Sequence, residues 1–226
     1  MQAAEELGSP DLIILPGTKN TIEDLLFIRR SGIEAEIKRL HSKGTAVFGI
    51  CGGYQMLGTW ISDPDKTESS LIEIEGMCLL NLKTVFKAKK TTTRVEASIT
   101  DDSGLLEGLK GMKVKGYEIH MGTSEYGPEC VPYINIERVL DRETRQTDGV
   151  RSEDGIVFGT YIHGIFDNME FTRGFINNLR KKKGLEISST GVSSFNEFKE
   201  TQYDLLADML RTNLDMKKLY AVMGIV

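Results

Sequence analysis

The stretch TAVFGICGGYQMLG, Thr45 to Gly58, decides the fold. Its first half, TAVFGI, is a short, nearly continuous apolar run, the pattern of a strand buried on both faces. Its second half sets Cys51 between glycines and runs on into residues that favour a helix. Strand, Gly-x-Cys-x-Gly and helix in succession form a nucleophile elbow with cysteine in place of serine. Gly49 and Gly53 relieve crowding around the strained turn. The sulfur of Cys51 is then exposed at the carboxyl end of a parallel strand, where open α/β sheets bind their ligands. The N-terminal dipole of the following helix points at it, so its pKa is expected to fall from about 8.5 toward roughly 3.5 to 7.5. The backbone N–H of Gly52 is the natural first donor of an oxyanion hole.

Upstream, DLIILPG (Asp11 to Gly17) repeats the apolar run and ends in Pro-Gly. Between the two runs, Asn20 or Thr21 can cap a helix, and Ile22, Leu26, Ile33, Ile37 and Leu40 keep helical spacing across a break at Ser31-Gly32. A strand-helix-strand unit implies parallel strands and a right-handed crossover. The loop LPGTKNT then lies beside Cys51, and its Gly17-Thr18 peptide offers a second oxyanion donor. Downstream, from about Met77 to Thr160, CLLNLKTVF, TTTRVEASI, KVKGYEIHMG, INIERVL and GIVFGTYIHG read as strands. Helices return over Glu170 to Lys183 and again from Asn196 to Tyr220. The basic, then Ser/Gly-rich region Lys181 to Ser194 marks the best boundary, which divides the chain into a domain over 1–183 and a helical extension over 184–226, packed on or appended to it. The expected class is α/β, an open, mostly parallel twisted sheet flanked by helices.

The chain has 226 residues, 40% hydrophobic and 27% charged, with a net charge of -5. That balance offers no electrostatic footprint for nucleic acid. No apolar run approaches the ~20 residues of a membrane span, and the N-terminus has no signal-peptide pattern, so a cytoplasmic protein is expected. Cys51, Cys78 and Cys130 are widely spaced with no CxxC pair or nearby histidine, which predicts free thiols and no metal site.

An attacking thiolate needs a proton shuttle, and the candidates are His41, His120 and His163. His41 falls in the last turn of a predicted helix, the place of a solvated basic residue. His163 follows the apolar strand GIVFGTYI and precedes Gly164, at a strand end from which an α/β enzyme supplies catalytic groups. His120, in GYEIHMG, is either a second site residue or a strand histidine paired with a backbone carbonyl. The elbow alone equally permits a cysteine-nucleophile α/β-hydrolase acting on an ester or lactone.

LPGTKNT, GICGGYQMLG, KGYEIHMG and GTYIHGIFDN occur in that order over Leu15 to Asn168. With these four motifs the chain resembles the class I (triad-type) glutamine amidotransferases, closest to the C-terminal glutaminase domain of the cobyric acid synthases. The resemblance covers nearly the whole chain and implies a flavodoxin-like sheet whose first strand is missing here. It implies that a thiolate attacks the side-chain amide of glutamine, ammonia leaves, and water hydrolyses the γ-glutamyl thioester. It assigns Cys51 as nucleophile, His163 as general base and then acid, Gly17 and Gly52 to the oxyanion region, and Gln55 to glutamine binding. Tyr117 and Glu118 fall in GYEIHMG, a segment the family keeps near the site or at the surface facing the synthetase, and Glu118 and His120 are secondary candidates.

Two departures stand out. Many class I members carry a glutamate two residues after the catalytic histidine, where this chain has Ile165. Asp167 is the nearest acid, equally explained as a loop acid or helix N-cap, and a backbone carbonyl is the other candidate to hold the imidazole. The family's synthases also use ATP and Mg in an N-terminal synthetase domain with a P-loop, to amidate corrinoid carboxylates in cobalamin biosynthesis. No GxxxxGK[ST] occurs in this chain. The resemblance therefore implies a C-terminal fragment that needs no cofactor of its own and whose ammonia is consumed by a synthetase domain or subunit that binds the corrinoid. Other acceptors within the resemblance are cobyrinate a,c-diamide or a cell-wall lipid, and a catalytically idle truncated module is the remaining alternative.

Overall fold

The computed structural model describes residues 3–187 and 195–225. The chain divides into two compact units, residues 1–187 and 188–226. The first unit opens with β1 (Leu12–Leu15), followed by α1 (Thr21–Arg30), α2 (Ile33–His41) and β2 (Ala46–Ile50). Asn20 caps α1 by accepting the Glu23 N–H at 3.2 Å. The break between the helices falls at Ser31-Gly32, where Gly32 takes φ +77°, a left-handed conformation that glycine adopts without a Cβ penalty. β1 and β2 pair in parallel, with Leu12 opposite Ala46 and Leu15 opposite Gly49.

The chain then forms α3 (Gly52–Leu57), β3 (Trp60–Ser62), β4 (Glu73–Glu75), β5 (Leu82–Ile99), β6 (Lys113–Tyr126), β7 (Cys130–Val139), β8 (Arg142–Ser152), β9 (Val157–Thr160) and α4 (Met169–Lys182). The sheet order is β1-β2-β9-β8-β7-β5-β3-β4, with β6 paired to β5. The sheet is mixed and open. β1, β2 and β9 run parallel with β2, the strand that leads to Cys51, at their centre, β3 pairs in parallel with β5, and β7, β8 and β9 follow one another antiparallel. CLLNLKTVF and TTTRVEASI contribute to one 18-residue strand, β5, whose pairing with β6 shifts between Val85 and Lys90. Such an irregularity bends a strand without ending it.

Helices cover the parallel part on both faces. Ile13, Leu15 and Val47 pack with Ile22, Leu25, Ile37, Leu40 and Leu57 of α1, α2 and α3. On the opposite face Phe48 and Phe158, their rings 5.8 Å apart, meet Phe171 and Phe175 of α4. Each of these buried phenylalanines is worth about 1.5–3 kcal/mol of apolar burial. β1 departs from the expectation of burial on both faces: Ile14 is 44% exposed, because α1 and α2 cover only the side that carries Ile13 and Leu15.

The second unit contains α5 (Phe195–Asn213) and α6 (Met216–Met223). The single helix expected from Asn196 to Tyr220 is thus two. Asp215 interrupts it by turning its carboxylate onto the Lys218 N–H at 3.2 Å, an N-cap that starts a new helix.

Candidate active site

β2 ends at Ile50, and Cys51 turns the chain with φ +52° and ψ -110° into α3. A left-handed φ at a non-glycine residue is strained and held only by its surroundings. Here the Cys51 N–H donates to the Thr160 carbonyl at 2.9 Å, and Gly53 N–H to the Pro16 carbonyl at 3.2 Å. The elbow is therefore tied to the end of β9 on one side and to the LPG loop on the other. A Cβ on Gly52 would stand 2.5 Å from Thr18 Cγ2, so the loop carrying Thr18 closes directly over the elbow.

His163 lies three residues beyond β9. Asp148 of β8, fully buried, orders that turn by accepting the Thr160 hydroxyl and the Tyr161 N–H. A Cβ on Gly17 would come 2.7 Å from His163 Cε1 and 3.4 Å from Cys51 Cβ. The bare glycine is what lets Cys51, His163 and the LPG loop approach one another. His163 Nε2 is buried and has no hydrogen-bond partner, which leaves it open as a proton acceptor.

Cys51 Sγ donates to the Ile119 carbonyl at 3.3 Å. The thiol pKa is not lowered as the helix dipole suggested. Burial pushes it up to about 11, against the pull of the Gly52 N–H, and the nearby carboxylates Glu68, Asp148 and Glu118 add to the rise. A six-residue helix does not outweigh a buried sulfur with three acids around it. Cys51 therefore rests as a thiol. Burial also lowers the His163 pKa, with the Ile119 carbonyl working against it. The imidazole is neutral at pH 7, the form a general base requires.

Gln55 is buried on α3 with every polar atom engaged. Its Oε1 accepts from Thr21 Oγ1 at 3.1 Å, and its Nε2 donates to the Met121 carbonyl at 3.2 Å and to the Tyr161 hydroxyl at 3.3 Å. It shares with Cys51 a pocket of about 140 Å³, into which Lys19, Glu68, Lys90 and His120 also face. The ring of His120 stacks on Tyr161 at 3.9 Å, and its Nδ1 is buried without a partner. Glu118 is buried, with its pKa raised to about 7 by burial and by Asp148. Asp167 does not join the group. It is exposed, in the short turn Ile165–Asp167, and no carboxylate among the described residues ion-pairs with His163. Ile165, where a triad glutamate would stand, is fully buried in the core. His41 ends α2, outside the pocket.

Residues 1–171 match the model of the CobB/CobQ-like glutamine amidotransferase domain. The chain belongs to this family. It is 49% identical over 223 residues, 99% of its length, to a cobyric acid synthase of Clostridium acetobutylicum, and 46% identical over 220 residues, 97% of its length, to one of Thermoanaerobacter. It spans 43% of the length of each of those two relatives. Among solved structures, a glutamine amidotransferase superposes with a TM-score of 0.53 at 18% identity, over 79% of this chain and 84% of the other. The PurLQS structure from Thermotoga maritima superposes at 0.55 with 20% identity, over 76% and 80%. These two likenesses concern the fold.

Sequence reasoning missed several residues that the amidotransferase fold gathers at the elbow. Glu68 arrives on a loop wrapped around buried Asp63, whose carboxylate accepts from Thr67, Glu68 and Ser69 N–H groups. Glu68 Oε2 then accepts the Thr21 N–H at 3.1 Å. Nothing in DPDKTESSL announces this. Tyr161, by contrast, lies two residues before His163 in the same motif, where the sequence itself points to it.

Proposed function

We propose that this chain is a glutaminase that hydrolyses glutamine to glutamate and ammonia, for use by an ATP-dependent ligase that amidates corrinoid carboxylates, as the name of its relatives suggests. The observation that carries the reading is the approach of Cys51 and His163 to each other across Gly17, beside a small pocket lined by Cys51 and Gln55. That pocket suits one amino acid, not a corrinoid. Lys19 and Lys90 supply positive charge and Glu68 negative charge beside the sulfur, a pairing that complements the α-carboxylate and α-ammonium of a zwitterion.

The chemistry follows from the resting state. Cys51 is a thiol bonded to a carbonyl, and His163 is a neutral base with Nε2 free. When the glutamine amide enters, the thiol proton passes to His163 as sulfur attacks the amide carbon. The Gly52 N–H, which acts on the Cys51 sulfur in the resting state, is assigned to the developing oxyanion, a role worth roughly 2.7–4 kcal/mol in the transition state. His163 returns the proton to the departing nitrogen, and ammonia leaves. Water, deprotonated by the same imidazole, cleaves the thioester to glutamate and restores the thiol. Activation of the acceptor by ATP falls to the ligase, since this chain carries no phosphate-binding Gly-Lys loop.

Glutamate release from glutamine tests this directly. Cys51→Ala should abolish it and His41→Ala should leave it unchanged, while an electrophilic glutamine analogue should label Cys51. Equal turnover in Cys51→Ala would overturn the assignment.

A further inference from the structure

Without a carboxylate on the imidazole, something else must hold His163. β6 pairs with β5 along one edge only. In an antiparallel strand the N–H and C=O of alternate residues point to the same edge. Glu118 and His120 stand opposite Thr93 and Thr91 of β5, and the residues between and beside them face the free edge.

That edge is not idle. At Lys115, the N–H donates to Asn168 Oδ1 at 2.8 Å and the carbonyl accepts Asn168 Nδ2 at 2.9 Å. At Tyr117, the N–H donates to the His163 carbonyl at 3.2 Å, and the Tyr117 carbonyl accepts the His163 N–H at 2.8 Å. At Ile119, the carbonyl accepts the Cys51 thiol at 3.3 Å. At Met121, the carbonyl accepts Gln55 Nε2 at 3.2 Å. Four alternate residues of one strand thus hold the turn after the base, the base, the nucleophile and the pocket glutamine.

The side chain of Tyr117 adds a further restraint. Its ring lies flat on the imidazole of His163, with centroids 5.0 Å apart and planes 4° apart. Backbone pairing and ring stacking at the same residue pair fix both the position and the plane of the base. The imidazole also interacts with the Ile119 carbonyl, and Gly17, Cys51 and His120 neighbour it.

We propose that Tyr117, carried on the free edge of β6, is the positioning residue that stands in for the missing triad carboxylate. It orients the His163 ring toward Cys51 by stacking. This rests on the glutaminase reading, and its test has one readout that does not depend on turnover.

In Tyr117→Ala, kcat for glutamine hydrolysis should fall about tenfold to a hundredfold, as misplacement of a reacting group does. KM should stay within about twofold. Loss of the covering ring admits water to the imidazole, so the His163 pKa should climb back toward 6.5 and the acid limb of the pH profile should move up with it. Tyr117→Phe keeps the stack and should restore both. Independently of activity, the His163 Cε1 proton followed by NMR should lose its ring-current shift and titrate at higher pH in Tyr117→Ala but not in Tyr117→Phe. An unmoved titration and an unchanged kcat in Tyr117→Ala would overturn the proposal. A wild-type chain without glutaminase activity would overturn the parent reading instead, and the NMR titration would still decide the role of Tyr117.

Discussion

The turn at Cys51 is written by its own neighbours in sequence, even though β9 and the LPG loop brace it: β2 delivers it, Gly52 and Gly53 let the chain turn, and α3 carries it away. His163 is placed by a strand remote in sequence, since Tyr117 pairs with its backbone and stacks on its ring. One half of the site is thus local and the other is tertiary. The difference has a consequence for robustness. The elbow needs its strand, its helix and the braces from Thr160 and Pro16, whereas a base held across strands depends on the register of β6. The two halves touch through Gly17 and the Ile119 carbonyl, and experiments that separate them belong there.

The largest effect is expected at Gly17. Gly17→Ala places a methyl 2.7 Å from His163 Cε1 and 3.4 Å from Cys51 Cβ. The first distance is a collision and the second is ordinary contact, so the base side should yield while the elbow stays. We expect kcat/KM to fall about a hundredfold to a thousandfold and the analogue to go on labelling Cys51 slowly. Full activity in Gly17→Ala, measured by glutamate release, would show that the two halves are not in contact through this loop.

The same division explains what the sequence disclosed. The elbow, the β1-helix-β2 crossover, the break at Gly32 and the strand end before His163 are written in residue types at short range. What holds His163 is not, because a backbone carbonyl such as that of Ile119 carries no residue signal, and the stacking partner Tyr117 is identified only by strand pairing. The absence of a carboxylate at Ile165 was legible, and so was a carbonyl as a candidate substitute; Tyr117 was legible as a residue of a segment near the site, and its stacking on His163 was not. The direction of the Cys51 pKa shift was misread for a related reason. The dipole of α3 is visible in the motif, but burial and the acids Glu68, Asp148 and Glu118 are brought in by other strands and loops.

A middle-sized effect is expected on the inner side of β6. Glu118 is buried with its pKa raised from 4.5 to about 7. A carboxyl whose folded pKa lies above its unfolded value contributes stability that is complete below about pH 4.5 and is lost as pH rises through 7. Glu118→Gln removes this charge and should gain on the wild type by up to about 3 kcal/mol between pH 4 and pH 8. Denaturant midpoints at the two pH values measure it. A gain that does not grow with pH would place an unrecognised cation beside Glu118, and β6 would then hold the site by charge as well as by its carbonyls.

The smallest effect is expected at Asp167, and it bears most directly on the tertiary half. Asp167 is the acid nearest to the base in sequence, yet it stands exposed in the turn Ile165–Asp167, with its N–H donated to the Gly164 carbonyl at 2.9 Å. Its neighbour Asn168 is the residue that reaches β6, through both backbone groups of Lys115. The turn is therefore anchored one residue past the acid, and the anchoring leaves Asp167 facing solvent. Asp167→Asn should keep kcat, KM and the acid limb of the pH profile within about twofold, and stability within about 0.5 kcal/mol. A tenfold loss of kcat together with a lowered acid limb would mean that the carboxylate swings onto the imidazole during turnover. The base would then be held by a triad after all, and the stacked Tyr117 would be its cover instead of its support.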